Sequence, residues 1–280
     1  MTVYACAYDL ENEDLCVPAA TKLAEIHRKH GCPATFFCVG RVVEKRAAEL
    51  RAVFADDPLF DLQSHTYAHR MLRDHIVHGP AIPVDEMWVE IGKAADVLAE
   101  EFGRRPIGTR SGCGFEFGMQ GEPERLRIIA ECGMEYISTH LRGPKETIPA
   151  PLTQPYTYAD DGFPALWELP AHGWHDNVLK GFTGHPTMFP PIYPFAGRLE
   201  PVRDAREDFE AAQPWVDHAV AEGMTFVGLC YHPWSLYRLD PNCGTMDLLL
   251  GYLRARGIEV VTYTELYRRL AACGCDESGS

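Results

Sequence analysis

Short apolar runs alternate with amphipathic stretches along almost the whole chain, and this alternation limits the fold more than any other feature. Thr2–Tyr8, Ala34–Val39 and Phe60–Ser64 read as strands, each followed by a helical stretch: Pro18–His30, Arg41–Val53 and Val84–Phe102. Pro18 suits a first helical turn, where a missing N–H costs nothing, and Gly31-Cys32-Pro33 breaks that helix. The pattern continues with strands at Pro106–Thr109, Glu135–Ser138, Ala165–Leu169, Thr225–Tyr231 and Ile258–Thr262. Helices read at Glu122–Cys132, Ala205–Ala221, Thr245–Arg256 and Glu265–Ala272. Seven or eight strands separated by helices predict an α/β fold whose parallel sheet is covered by helices. A distorted or partial (β/α) barrel of about seven strands fits best, with an open doubly wound sheet as the alternative. No GxGxxG opens a helix after the first strand, which speaks against a dinucleotide site.

The chain has 280 residues, and residues 1–272 read as one domain, since α/β barrels of roughly 200–250 residues run undivided. A net charge of -14 argues against nucleic-acid binding, which needs a basic face to neutralise phosphates. No apolar run reaches the roughly 18 residues of a membrane span. The N-terminus lacks the basic flank and apolar core of a signal peptide, so the ten cysteines read as free thiols of a cytoplasmic protein. Residues 273–280, with Cys273-Gly274-Cys275, read as a flexible tail, a two-thiol metal clip being the lesser alternative. Residues 172–201 are long, rich in Gly and Pro, and carry Trp174, Phe182, Phe189, Tyr193 and Phe195, which favours an ordered lid.

Catalytic groups in such barrels sit where strands end. Asp9 and Glu11 follow the first strand, His65 and His69 the third, and Arg110 the fourth; Glu168 ends the sixth and His232 the seventh. His65 and His69, at i and i+4, can face one metal if the segment turns helically. Asp9 and Glu11, at i and i+2, share one side of an extended segment. Two histidines and a carboxylate with an open position make a hydrolytic zinc arrangement, in which the second carboxylate is available as a general base. The same donors suit iron, nickel or cobalt. His232, before a proline turn, reads as a catalytic acid, and Arg110 as the partner that keeps Asp9 ionised.

These positions together resemble the polysaccharide deacetylase family, carbohydrate esterase family 4, also called the NodB homology domain. Ala7-Tyr8-Asp9-Leu10-Glu11 stands where that family has T-F-D-D-G, and His65-Thr66-Tyr67-Ala68-His69 matches H-[ST]-x-x-H. Arg110-Ser111-Gly112-Cys113-Gly114 corresponds to R-x-P-Y-G, and Tyr231-His232-Pro233 to a strand ending in H-P. Trp167-Glu168-Leu169-Pro170 and Trp174-His175-Asp176 hint at the fourth motif; Ala34–Gly40 and Gly257–Leu270 resemble the second strand and the ending. The resemblance implies a distorted barrel, one divalent metal ion, usually zinc, and hydrolysis of an N-acetyl group on an amino sugar. It implies Asp9 as base, His65 and His69 as metal ligands, Arg110 as the residue tuning the base, and His232 as acid. Leu10 replaces the family's second aspartate, so Glu11 is the expected third ligand, although the two carboxylates' roles could be exchanged. Cys113 replaces a tyrosine whose backbone N–H serves the oxyanion hole, a donor that the change keeps.

The expected substrate is a small acylamino sugar or related amide, contacted by Cys113, Glu168, Trp174 and Trp234. An allantoinase-like hydrolase of a non-sugar amide and a catalytically inactive binding barrel are the alternatives, and an oligomer is compatible with either. A cysteine-nucleophile hydrolase through Cys113 ranks last, since a buried thiol is usually inert.

Overall fold

The computed structural model describes residues 1–54, 57–184, 193–197 and 200–277. The first strand is two short segments, β1 (Val3–Ala5) and β2 (Ala7–Leu10), followed by α1 (Cys16–His30), β3 (Ala34–Cys38), α2 (Gly40–Phe54) and β4 (Phe60–Ser64). Then come α3 (Ala94–Phe102), β5 (Gly108–Phe115), α4 (Pro123–Glu131), β6 (Tyr136–His140), β7 (Tyr156–Tyr158), β8 (Phe163–Glu168) and α5 (Asp176–Leu179). The C-terminal part holds α6 (Ala205–Ala221), β9 (Phe226–Val227), α7 (Pro233–Leu239), α8 (Gly244–Ala255), β10 (Val260–Val261) and α9 (Tyr263–Glu277).

Seven strands are hydrogen-bonded in the order β2-β3-β4-β5-β6-β8-β7, and β10-β1-β9 form a second sheet. All pair in parallel except β7 with β8. Parallel bridges His172–Leu229 and Tyr8–Tyr231 join the far side back to β2, so the strands close into a distorted barrel. β2 and β3 are buried along their whole length, as strands covered on both faces must be. Side-chain parity then places the first motif. Leu10 is buried in the cluster that includes Tyr8, Cys16 and Ala20, between strand and helices. Asp9 and Glu11, of opposite parity, face the barrel mouth. Leu10 is thus core, and Glu11 is the next residue on the functional side.

Several expectations are corrected. The stretch 84–102 is not one α-helix: a 3₁₀ turn (Val84–Glu86) and a π-helical segment (Trp88–Lys93) precede α3. Within the wider turns Glu90 is buried, and its Oε2 accepts the Ala68 N–H at 2.9 Å, which anchors the histidine loop. β5 extends to Phe115, beyond the short strand expected at 106–109, and carries Arg110 through Cys113. The region after His232 is α7, not a bare turn. α9 runs to Glu277, five residues into the segment read as a tail; residues 278–280 lie outside the described residues. Of the expected lid, residues 185–192, with Phe189, and 198–199 lie outside the described residues. Tyr193 and Phe195 stack at 5.2 Å and meet Trp215 of α6 edge-on. No described helix is long and apolar enough to cross a membrane.

Glu168, expected at the substrate, is instead a buried structural acceptor. Its carboxylate takes the N–H groups of Thr139 (2.6 Å) and His140 (2.9 Å), the Thr139 hydroxyl (2.7 Å) and the Tyr158 hydroxyl. Glu168→Ala strands these donors, each costing about 1–3 kcal/mol. Expected is a loss of about 3 kcal/mol or more, lowering Tm by roughly 6–12 °C in a thermal melt, with metal content unchanged.

Candidate metal centre and active site

The loop after β4 is not helical; it turns through two left-handed residues, Thr66 (φ 60) and His69 (φ 61). Local bonds support these conformations: Thr66 N donates to Ser64 Oγ at 3.2 Å, and His69 N to Thr66 Oγ1 at 3.1 Å. The first two N–H groups of α2 donate to Thr66 O and Tyr67 O, at 2.9 and 3.0 Å. A side chain at Gly112 would put Cβ 2.9 Å from the His69 carbonyl carbon and oxygen, so the close passage of β5 under the loop needs glycine. The two imidazoles end with ring centroids 4.9 Å apart. The i, i+4 spacing therefore brings them together through a loop.

Arg110 is fully buried between Phe37 and Tyr263, with its guanidinium carbon 4.2 and 4.9 Å from their ring centroids. Nη1 donates to Asp9 Oδ1 at 2.7 Å and Nε to Ser138 Oγ at 3.1 Å. Burial would raise the Asp9 carboxyl, but Arg110 above all, with His65 and His232, holds it below its ordinary value. The Asp9–Arg110 pairing read from the sequence is present as a buried ion pair.

His65 has a defined tautomer. Its Nδ1 lies 3.1 Å from the Arg110 carbonyl oxygen, which can only accept, so Nδ1 carries a proton and Nε2 is the nitrogen free to take a metal ion or a second proton. That Nε2 is buried and has no hydrogen-bond partner. It faces Glu11 Oε2 at 3.7 Å and Asp9 Oδ2 at 3.9 Å. A bare nitrogen facing two carboxylates is unfavourable, so this position calls for a positive charge, either a proton on Nε2 or a metal ion held between the three groups. Glu11 Oε2 is also 2.8 Å from His69 Nε2, and Glu11, His65 and His69 offer ligand atoms that lie within 4.8 Å of one another. The donor set fits a divalent ion. Trp234 Nε1 donates to Glu11 Oε1 at 2.9 Å, so Trp234, expected at the substrate, orients the acid.

His232 follows Tyr231, which bridges in parallel to Tyr8 of β2. The His232 Nδ1 is 2.6 Å from Asp176 Oδ1, and Asp176 is paired with Lys180 (3.0 Å), which also pairs with Asp208 (3.0 Å). All four are buried. Burial would lower the imidazole, yet Glu11 and Asp176 raise it to about 9. Asp176 and Lys180 carry no periodic signal; Asp176 was legible only as a fragment of the weak fourth motif. Asp9, Glu11, His65, His69 and His232 share a cavity of about 150 Å³ with Arg142. Cys113 lines it, but Trp174 and Glu168 do not; Trp174 packs beside Leu179 and Trp215. A larger hollow of about 380 Å³ surrounds the starts of β3 and β4, and no histidine lines it.

A closed parallel barrel with acids and histidines gathered at its strand ends is the architecture of the polysaccharide deacetylases. Residues 10–137, a little under half of the chain, match the family model described as Polysaccharide deacetylase. A Mycobacterium smegmatis structure, described provisionally as a polysaccharide deacetylase, is similar at 17% identity and TM-score 0.69, over 97% of this chain and 90% of that one. Puue allantoinase is similar at 15% identity and TM-score 0.63, over 91% and 72%. A CE4 family pseudoenzyme from Bacillus anthracis is similar at 12% identity and TM-score 0.56, over 95% and 65%. These likenesses show the fold. No curated protein matches the chain significantly.

His232 is charged in the folded protein over a wider range than free imidazole, whose pKa is about 6.5. Its contribution to stability is therefore fully present below about pH 6.5. That contribution is lost as pH rises through about 9. In metal-free protein the His232 Cε1–H signal should titrate near 9 by NMR. Asp176→Asn should bring that midpoint down by roughly one unit or more, and an unmoved midpoint would show that Asp176 does not hold the charge.

Proposed function

We propose that the chain is a metal-dependent hydrolase that removes an acyl group, acetyl first, from the nitrogen of an amino sugar or similar small amide. The observation that carries this reading is the His65 Nε2 atom, buried without a hydrogen-bond partner and turned toward Glu11 and Asp9. Glu11, His65 and His69 would hold the ion, with zinc the first candidate. Such an ion supplies Lewis-acid polarisation of the acyl carbonyl and a nucleophilic water near neutral pH.

The protein's own residues supply the proton transfers. Asp9, kept ionised by Arg110, accepts the proton of the attacking water. His232, kept charged by Asp176 and Glu11, donates to the departing nitrogen. Asp9 is committed to Arg110 through one oxygen, whereas Glu11 has an oxygen near both histidines, which favours Glu11 as ligand and Asp9 as base. A cavity of about 150 Å³ suits a single ring or acyl group better than a polymer groove. The same small volume supports a second reading, a non-sugar amide hydrolase. An inactive barrel is disfavoured because Asp9, Arg110 and His232 are all present and engaged.

Protein purified without chelator should carry about one divalent ion per chain by elemental analysis, and His65→Ala should lose most of it. Glu11→Gln should weaken metal binding. Asp9→Asn should keep the ion while the rate falls about 10²–10⁴-fold. Loss of metal in Asp9→Asn with retention in Glu11→Gln would exchange the two roles. Acetate release across small N-acyl amino sugars tests the substrate; amide cleavage without acetate would move the reading to the non-sugar amide.

A further inference from the structure

A second cluster lies in the wall of the same cavity. Its centre is Cys113, which is partly exposed, unlike the buried Cys6, Cys38, Cys230 and Cys243. Arg142 Nη2 donates to the Cys113 sulfur at 3.1 Å. Arg142 is itself buried, and its Nε is fixed on Gly114 O at 3.3 Å. Ring nitrogens of His75 and His78 and the Cys113 sulfur lie within 4.8 Å of one another.

That spacing would suit a metal, but the His75 tautomer does not. The Val77 and His78 backbone N–H groups both donate to His75 Nδ1, at 3.0 and 3.2 Å. A backbone N–H can only donate, so Nδ1 is bare and Nε2 carries the ring proton. His75 Nε2 is buried without a hydrogen-bond partner. A protonated nitrogen cannot ligate an ion, and freeing Nε2 would place a proton on Nδ1 against two donors. The Arg142 guanidinium hydrogen-bonded to the sulfur, with the His75 Nε2–H within 4.8 Å of it, favours negative charge on the sulfur itself. Burial would raise the Cys113 thiol, but Arg142 and His75 outweigh it and hold it below its ordinary value. Two other titratable groups face this cluster. His78 is lowered by burial and by Arg142, so it adds little charge near neutral pH. Glu146, whose Oε2 is 3.7 Å from His75 Nε2, is raised by burial.

We propose that Cys113 is a modification site, an anionic sulfur fixed in the cavity wall that takes small carbon electrophiles and obstructs the cavity once capped. With an alkyl halide the sulfur lone pair forms an S–C bond while the C–halogen bond breaks. The halide leaves with that electron pair, and no proton has to be removed. In a cavity of about 150 Å³ an added acetamide group takes space that a substrate needs. Loss of hydrolysis on capping rests on the function proposed above; the reactivity of the sulfur does not.

The test is iodoacetamide labelling of the protein as purified, read peptide by peptide by mass spectrometry, with the exposed Cys273 as internal reference. From about pH 8 to pH 6 the ratio of Cys113 to Cys273 labelling rates should rise at least about threefold, because a sulfur whose thiolate is stabilised keeps more of it as the pH falls. Arg142→Met should flatten that ratio and Arg142→Lys should restore part of it. A ratio that stays constant with pH in the wild-type protein, or a Cys113 that never labels while Cys273 does, overturns the proposal. So does suppression of labelling by zinc beyond the first equivalent if His78→Ala relieves it, since the trio would then be a metal site. Normal Cys113 labelling on a protein that hydrolyses no amide would remove the hydrolase reading and leave the modification site standing.

Discussion

The buried pair of Arg110 with Asp9 is the interaction on which the mouth of the barrel depends. A guanidinium with no solvent exposure is tolerable only if its charge is answered, and Asp9 answers it at 2.7 Å. The same side chain is clasped by Phe37 of β3 and Tyr263 of α9 and donates to Ser138 of β6. One residue thus ties β2, β3, β5, β6 and the last helix together at the level where the chemistry gathers. Its backbone takes part as well, because the Arg110 carbonyl accepts from His65 Nδ1 and so turns Nε2 toward the acids. A metal ligand is usually oriented by what its other nitrogen bonds to, and here that partner is the main chain of the residue that also holds Asp9.

The remaining groups are held by successive layers behind them. Trp234 fixes Glu11, Asp176 fixes His232, Lys180 holds Asp176, and Asp208 closes the chain on Lys180 and Thr245. The π-helical turn that buries Glu90 serves the histidine loop in the same way. Such support matters because the fold does not by itself decide activity. A barrel of this shape is described as a pseudoenzyme, and a mutant of it as having restored enzymatic activity. The case for chemistry in the present chain therefore rests on its side chains and their protonation states.

Alternating strands and helices, and the acids and histidines that end the strands, were legible in the sequence because they follow from local periodicity. Period-2 parity already separates Leu10 from Asp9 and Glu11, and an apolar strand running straight into His65 already marks a rim. Tertiary structure alone decided how those residues meet. The histidines converge through left-handed turns that Gly112, from a different strand, leaves room for. Glu168 and Trp174 share the composition of binding residues, yet the first is consumed by Thr139, His140 and Tyr158 and the second packs beside Leu179 and Trp215. Lys180, Arg142 and His75 carry no pattern and Asp176 only a fragment of one, since a lone polar residue reads the same whether solvated or buried. Partners far along the chain give them their roles: His232 is 56 residues from Asp176, and Cys113 is 29 from Arg142. Local sequence sets which face a side chain takes, whereas contacts between distant segments set its charge, its tautomer and its partner.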